Sequence, residues 1–176
     1  MDKRTDIIAG ATAIFDTEGF RGVGVDRVLA PSGASTRTLY KQFGSKDGLV
    51  AAVLEEWHGA FLKRLEAEAD ETDPIGSLFQ TLLRGFRERG SRGCMLLRAK
   101  AEYTSASSEI VDLVRLRKQE FRELIATLVA KALGRRNDRL TTQVWLLFEG
   151  AVAASSVADL SIVEEAEETR LCQACL

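Results

Sequence analysis

Arg37, Tyr40 and Lys41 sit within STRTLYKQFGSKDGL, residues 35–49. Together they offer a planar fork of donors, a phenolic hydroxyl and an ammonium. That set suits an anionic polymer. A guanidinium pairs with guanine O6 and N7, whereas hydroxyl and ammonium groups suit the phosphate backbone. Ser35 is an N-cap type whose oxygen accepts from amides one turn on. The pattern then predicts a helix from Thr36 to Phe43, with Leu39 and Phe43 as its inward pair and Gly44 as its stop. Helices shorter than ~12 residues do not persist alone in water, so neighbouring elements must hold this one.

Charge placement sharpens the point. The 176-residue chain has a formal net charge of −2, which argues against a protein that coats nucleic acid. Between Arg27 and Lys46, however, stand Arg27, Arg37, Lys41 and Lys46 with no acid among them. The acids concentrate elsewhere, as in SIVEEAEE near the C-terminus. The basic character is local.

Apolar residues make up 45% and charged residues 28%, a balance that fits a globular chain and excludes general disorder. No run of ~18 uncharged apolar residues occurs, so no membrane span is expected. MDKRTDIIAGATAIF carries acids and an amphipathic period, unlike a secretory leader. Three cysteines make no disulfide framework. A cytoplasmic location is expected.

Two prolines, Pro31 and Pro74, and no alternating β-branched runs predict an all-α chain of about nine helices. Ile7, Ile8, Ala11, Ile14 and Phe15 form one stripe of a first helix, stopped at Gly19, with Phe20 folded back onto it. A short helix begins near Val25 and ends or tightens into a 3₁₀ turn at Pro31. Ser45 caps a long helix bearing Leu49, Val50, Val53, Leu54, Trp57, Phe61 and Leu65. ADETDPIG is the internal linker. Further helices follow around Leu78–Phe86, CMLLRAKAEY, Ile110–Val129 and VWLLFEGAVAASSVA, with a last one from about Ser161.

Two short helices joined by a Gly-containing turn, the second pinned by Leu39 and Phe43, describe a helix-turn-helix. In such a motif the second helix enters the major groove while flanking groups hold phosphates. Ser35, Thr36, Arg37, Thr38, Tyr40, Lys41 and Lys46 are the candidate DNA contacts. Lys46 stands beside the open amides of a helix start, which favour a phosphate.

AIFDTEGFRGVGVDRVLAPSGASTRTLYKQFGSKDGLV resembles the N-terminal DNA-binding region of the TetR/AcrR family of bacterial transcriptional regulators. The likeness rests on Phe15, Gly19, Phe20, Val25, Val28, Gly33, Ser35, Thr38, Leu39, Tyr40, Phe43, Lys46 and Leu49, and covers roughly residues 5–55. It implies a three-helix helix-turn-helix head, residues 1–48, and a helical effector-binding and dimerisation body, residues 49–176. It also implies a homodimeric, ligand-responsive regulator, most often a repressor, on a near-palindromic operator of double-stranded DNA. Three positions depart from the pattern: Gly24 where Ser or Thr often caps, Pro31 late in the second helix, and Gln42 where many members have His. RGCMLLRAKAEY resembles a Gly-Cys-containing segment of one subset of the family.

A small-molecule effector site in such a body would be lined by apolar side chains with a few polar ones. The candidates are Trp57, Phe61, Phe86, Met95, Arg98, Tyr103, Trp145 and Phe148, each aromatic with core filling as its alternative. Arg98 interrupts an apolar run, and Glu102 one turn on is its expected partner. His58 is the one histidine. Cys172 and Cys175 form a C-x-x-C, but zinc would need about two more ligands, so neither metal nor cofactor is expected. VWLLFEGAVAASSV, apolar on several sides and rich in small residues, predicts a homodimer through the last two helices. The alternative reading is an all-α binding or scaffold protein that keeps the head without an operator. No triad, phosphate-cradling Gly loop or H-E-x-x-H supports an enzyme.

Overall fold

The computed structural model describes residues 2–174, with side chains described for 2–169. Cys172 and Cys175 therefore fall outside the described side chains. Among the described residues all regular structure is helical: α1 Lys3–Glu18, α2 Val25–Leu29, a 3₁₀ turn at Ala30–Ser32, α3 Thr36–Phe43, α4 Lys46–Ala67, α5 Pro74–Arg89, α6 Met95–Tyr103, α7 Ser108–Leu133, α8 Asp138–Ala154 and α9 Ser161–Ala174. The fold class agrees with the sequence expectation. No helix among the described residues is long and apolar enough to cross a membrane.

Two compact units emerge. One comprises Met1–Phe61 with Met95–Leu116, the other Leu62–Cys94 with Arg117–Leu176. The first unit thus runs past residue 48 along α4 to Phe61 and takes in α6 and the start of α7.

In the first unit, Ile7, Ala11 and Phe15 of α1 are fully buried, and Phe20 folds back so that its ring centroid lies 5.2 Å from that of Phe15. α2 turns Val28 and Leu29 inward. Proline at the second position of the 3₁₀ turn ends the α-helical bonding there, as its missing N–H requires. Pro31 also packs closely on α1: a Cβ on Gly10 would lie 3.0 Å from its own Cβ.

α3 starts where the Ser35 hydroxyl accepts from the Thr38 amide at 3.2 Å. It buries Leu39 completely, and a buried leucine contributes roughly 1.5–3 kcal/mol. Ser45 then caps α4 by accepting from the Gly48 amide at 2.9 Å. Leu49, Val50, Val53 and Leu54 are fully buried on the side of α4 that faces the unit's core.

The second unit has a separate core. Phe148 of α8 stands with its ring centroid 4.9 Å from Phe121 of α7 and 5.9 Å from Phe79 of α5. α9 packs on α5 and α8, burying Val163 and Ala166. Ion pairs edge this core. Arg64 bridges Glu68 and Glu88, Glu68 also accepts from Arg84, and Lys118 meets Glu149 at 2.6 Å with both side chains largely covered.

The α3–α4 junction tolerates no added atom at one place. A Cβ on Gly48 would lie 2.0 Å from the Phe43 carbonyl oxygen, well inside contact distance. Gly48→Ala must push α3 and α4 apart, so an unfolding midpoint in urea should reveal a loss on the order of 1–3 kcal/mol.

Candidate nucleic-acid interface

The exposed side of α3 is built by helical spacing. Successive residues step by ~100°, so Thr36, Arg37, Tyr40 and Lys41 share an arc of roughly 140°, with Leu39 on the opposite side. All four are exposed, Tyr40 to 53% despite its large ring. Among the described residues none forms an ion pair or hydrogen bond with the Arg37, Tyr40 or Lys41 side chains. Thr38 is half-buried, and its hydroxyl shares a 2.9 Å hydrogen bond with that of Ser35. Ser35 and Thr38 thus engage each other at the helix start while Arg37, Tyr40 and Lys41 project.

The other cations of the basic stretch have protein partners. Arg27 donates to Glu18 Oε1 from Nε and Nη2, at 2.9 and 2.6 Å. That hydrogen bond and the carboxylate's charge raise the guanidinium's pKa. Glu18 lies outside the acid-free window, so the pairing was hidden from a local count of charge. Lys46 turns its ammonium onto the carbonyls of Arg21, at 3.1 Å, and Val23. Burial lowers its pKa, and only secondarily does Asp47 oppose this. The sequence reading offered Lys46 a phosphate; here it satisfies the backbone that leads into α2.

Two further cations join the head from the start of α1. Lys3 donates to the Ser32 carbonyl at 2.8 Å, and the Arg4 guanidinium lies over the Phe43 ring, 5.4 Å from its centroid. Both link α1 to the helix-turn-helix. Their sequence context, beside Asp2 and Asp6, gave no sign of this. Gly24 caps α2 with extended backbone and no side-chain bond, and the space around its Cβ position is open.

The side chains offered as effector contacts divide between the units. Trp57, Phe61, Met95, Arg98 and Tyr103 belong to the first, and Phe86, Trp145 and Phe148 to the second. Met95 is buried, as is Phe148 in its aromatic cluster. Arg98 does not pair with Glu102. It donates to the Asp16 and Phe15 carbonyls at 2.8 and 3.3 Å, with the Asp16 carboxylate at 3.5 Å. Tyr103 donates to Asp47 Oδ1 at 3.1 Å; burial first, then that carboxylate, raises its pKa. Trp57, Phe61, Phe86 and Trp145 are half-buried, with the Arg122 guanidinium 5.8 Å from the Trp145 ring centroid.

A short helix presenting free cationic and phenolic groups, preceded by a glycine turn and supported by two other helices, is a helix-turn-helix head. Residues 7–53 match the family described as bacterial regulatory proteins, tetR family, and the head they form belongs to it. The chain is 28% identical over 115 residues to the HTH-type transcriptional repressor NemR of Escherichia coli K12, covering 62% of this chain and 58% of that protein. It is 33% identical over 95 residues to the HTH-type transcriptional repressor BdcR of the same strain, covering 51% and 48%. The chain thus spans about half the length of the curated relatives it matches. A TetR-family transcriptional regulator from Streptomyces coelicolor superimposes with a TM-score of 0.86 at 27% identity, over 97% of this chain and 95% of that one. The reduced form of E. coli NemR shares the fold, with a TM-score of 0.84 at 20% identity over 97% and 95%.

The Lys46 contacts make a stability prediction. Lys46→Met leaves the Arg21 and Val23 carbonyls without their charged donor. Chemical denaturation should register a loss of about 1–2 kcal/mol, charge-assisted bonds being discounted for partial exposure.

Proposed function

We propose that the protein is a homodimeric, ligand-responsive transcriptional repressor that binds a near-palindromic DNA operator. The observation that carries this reading is the outward set on α3, Arg37, Tyr40 and Lys41, which has no partner among the described residues and lies within a family-matched head. Arg37, in the first turn, is the base reader. Tyr40 and Lys41 hold the backbone, and Thr36 supports them from the helix start. Ser35 and Thr38 fix that start. Such a regulator works where the chromosome is, in the cytoplasm.

Dimerisation is supported by the outer side of α8. Leu146 is 58% exposed and Val157, just past the helix, 90%. Gly150 and Ala153 complete the same stripe at spacings of three and four residues. Small residues let two helices approach closely, and apolar exposure of this kind marks an association surface. A two-fold dimer that reads one duplex face needs its two α3 helices ~34–36 Å apart or a multiple of it, to match successive turns.

Ligand response is supported by kinship and by the half-buried aromatics. Trp57 and Phe61 of the first unit are the groups assigned to the effector. Met95 and Phe148 serve the cores, while Arg98 and Tyr103 hold the head.

Retention of duplexes flanking the protein's own gene in an electrophoretic shift tests the whole reading, and failure to retain any of them counts against it. Given a retained duplex, Arg37→Ala should weaken binding by about 1–3 kcal/mol and relax preference at one base pair. Lys41→Ala should weaken all sequences alike and flatten the salt dependence by about one phosphate's worth. Leu146→Lys should give a monomer in sedimentation velocity. Its operator affinity should drop together with the dimer.

A further inference from the structure

The backbone from Phe15 to Val23 closes α1 and leads into α2, and charged side chains from α6 and α4 answer much of it. Glu102 Oε2 accepts from the amides of Phe20, at 2.9 Å, and Arg21, at 2.8 Å. Arg21 returns a bond from Nη1 to the Glu102 carbonyl at 3.4 Å. One turn earlier on α6, Arg98 meets the Phe15 and Asp16 carbonyls. Lys46 of α4 meets those of Arg21 and Val23. The approach is tight. Gly19 has φ +81°, and a Cβ there would lie 3.0 Å from Glu102 Oε1, so both the conformation and the space belong to glycine.

This matters because α2 has little support of its own. It is five residues long, and Gly24 gives it no side-chain cap. Its placement rests on Val28 and Leu29 packed inward and on the turn before it, and α3 follows α2 across a short glycine turn. A carboxylate that takes two adjacent amides makes charge-assisted bonds, and removing it leaves both amides without a partner in a partly covered place.

We propose that Glu102 is a positioning residue for DNA binding. It fixes the α1–α2 turn through the Phe20 and Arg21 amides, and so sets where α3 meets the duplex without touching DNA itself. The proposal rests on the DNA-binding reading given above. It separates Glu102 from the phosphate ligands by a measurable property: the slope of affinity against salt counts neutralised phosphates, and Glu102 neutralises none.

The test uses the full chain and a duplex that the wild type retains. Operator affinity is measured over a salt series for wild type, Glu102→Ala, Glu102→Gln and, as the phosphate-contact reference, Lys41→Ala. Hydrogen exchange of the Phe20 and Arg21 amides is followed in the same proteins. Glu102→Ala should bind at least about tenfold more weakly with an unchanged salt slope, and both amides should exchange at least about tenfold faster. Glu102→Gln keeps an acceptor and should recover at least about threefold of the lost affinity. Wild-type affinity in folded Glu102→Ala overturns the proposal. So does a slope that falls as it does for Lys41→Ala, or a Gln variant no better than Ala. Should Glu102→Ala fail to fold, Glu102→Gln against wild type decides: weakening of about threefold with an unchanged slope supports the proposal, and equality overturns it. A wild type that retains no duplex overturns the DNA-binding reading and this proposal together, a different result from a wild type that binds alongside an unaffected variant.

Discussion

An eight-residue helix does not hold itself together in water, and the rest of the head follows from that constraint. α3 persists because Leu39 is sealed among its neighbours, because Ser35 answers an amide at its start, and because α4 begins against its end so closely that Gly48 admits no side chain. The support comes from one side only. The other side is left to Arg37, Tyr40 and Lys41, and its exposure is a by-product of how the helix is anchored.

The same division runs through the charged side chains. A cation's role is decided by the nearest group that can answer it. Arg27 has Glu18, Lys46 has two carbonyls, Arg98 has the end of α1, and Lys118 has Glu149. Arg37 and Lys41 have no such partner among the described residues. A basic stretch that looks uniform in one dimension therefore resolves into structural cations and presented ones. In the second unit Arg64, Glu68, Arg84 and Glu88 tie one another along α4 and α5.

Most of the fold was legible because its signals are local. Gly33, Ser35 and Gly44 bracket α3, Pro31 forces the 3₁₀ turn, and Ser45 opens α4; each acts within about one helical turn. The helix-turn-helix was legible for the same reason, and Arg37, Tyr40 and Lys41 share its one short second helix. What escaped depends on distant contacts. Glu102 and Arg98 are spaced as a helical pair, yet each finds backbone partners more than 80 positions earlier in the chain, and a backbone amide or carbonyl carries no residue type to read. The partner of Arg27 escaped because its acid lies on another helix. Phe148 was offered to a ligand because an aromatic cluster and a binding site share the same composition. The grouping of α6 with the head is likewise a matter of contacts between distant parts of the chain.

The pairing of Arg27 with Glu18 reaches beyond the head's architecture. It removes a positive charge from the long-range field of a chain that is already slightly anionic overall. Indiscriminate attraction to any duplex scales with the phosphates a protein can neutralise, and a genome offers on the order of 10⁶–10⁹ competing sites. On the DNA-binding reading proposed above, a head that presents few uncommitted cations dwells briefly on irrelevant sequence, so a modest number of copies can patrol a chromosome and still find one target.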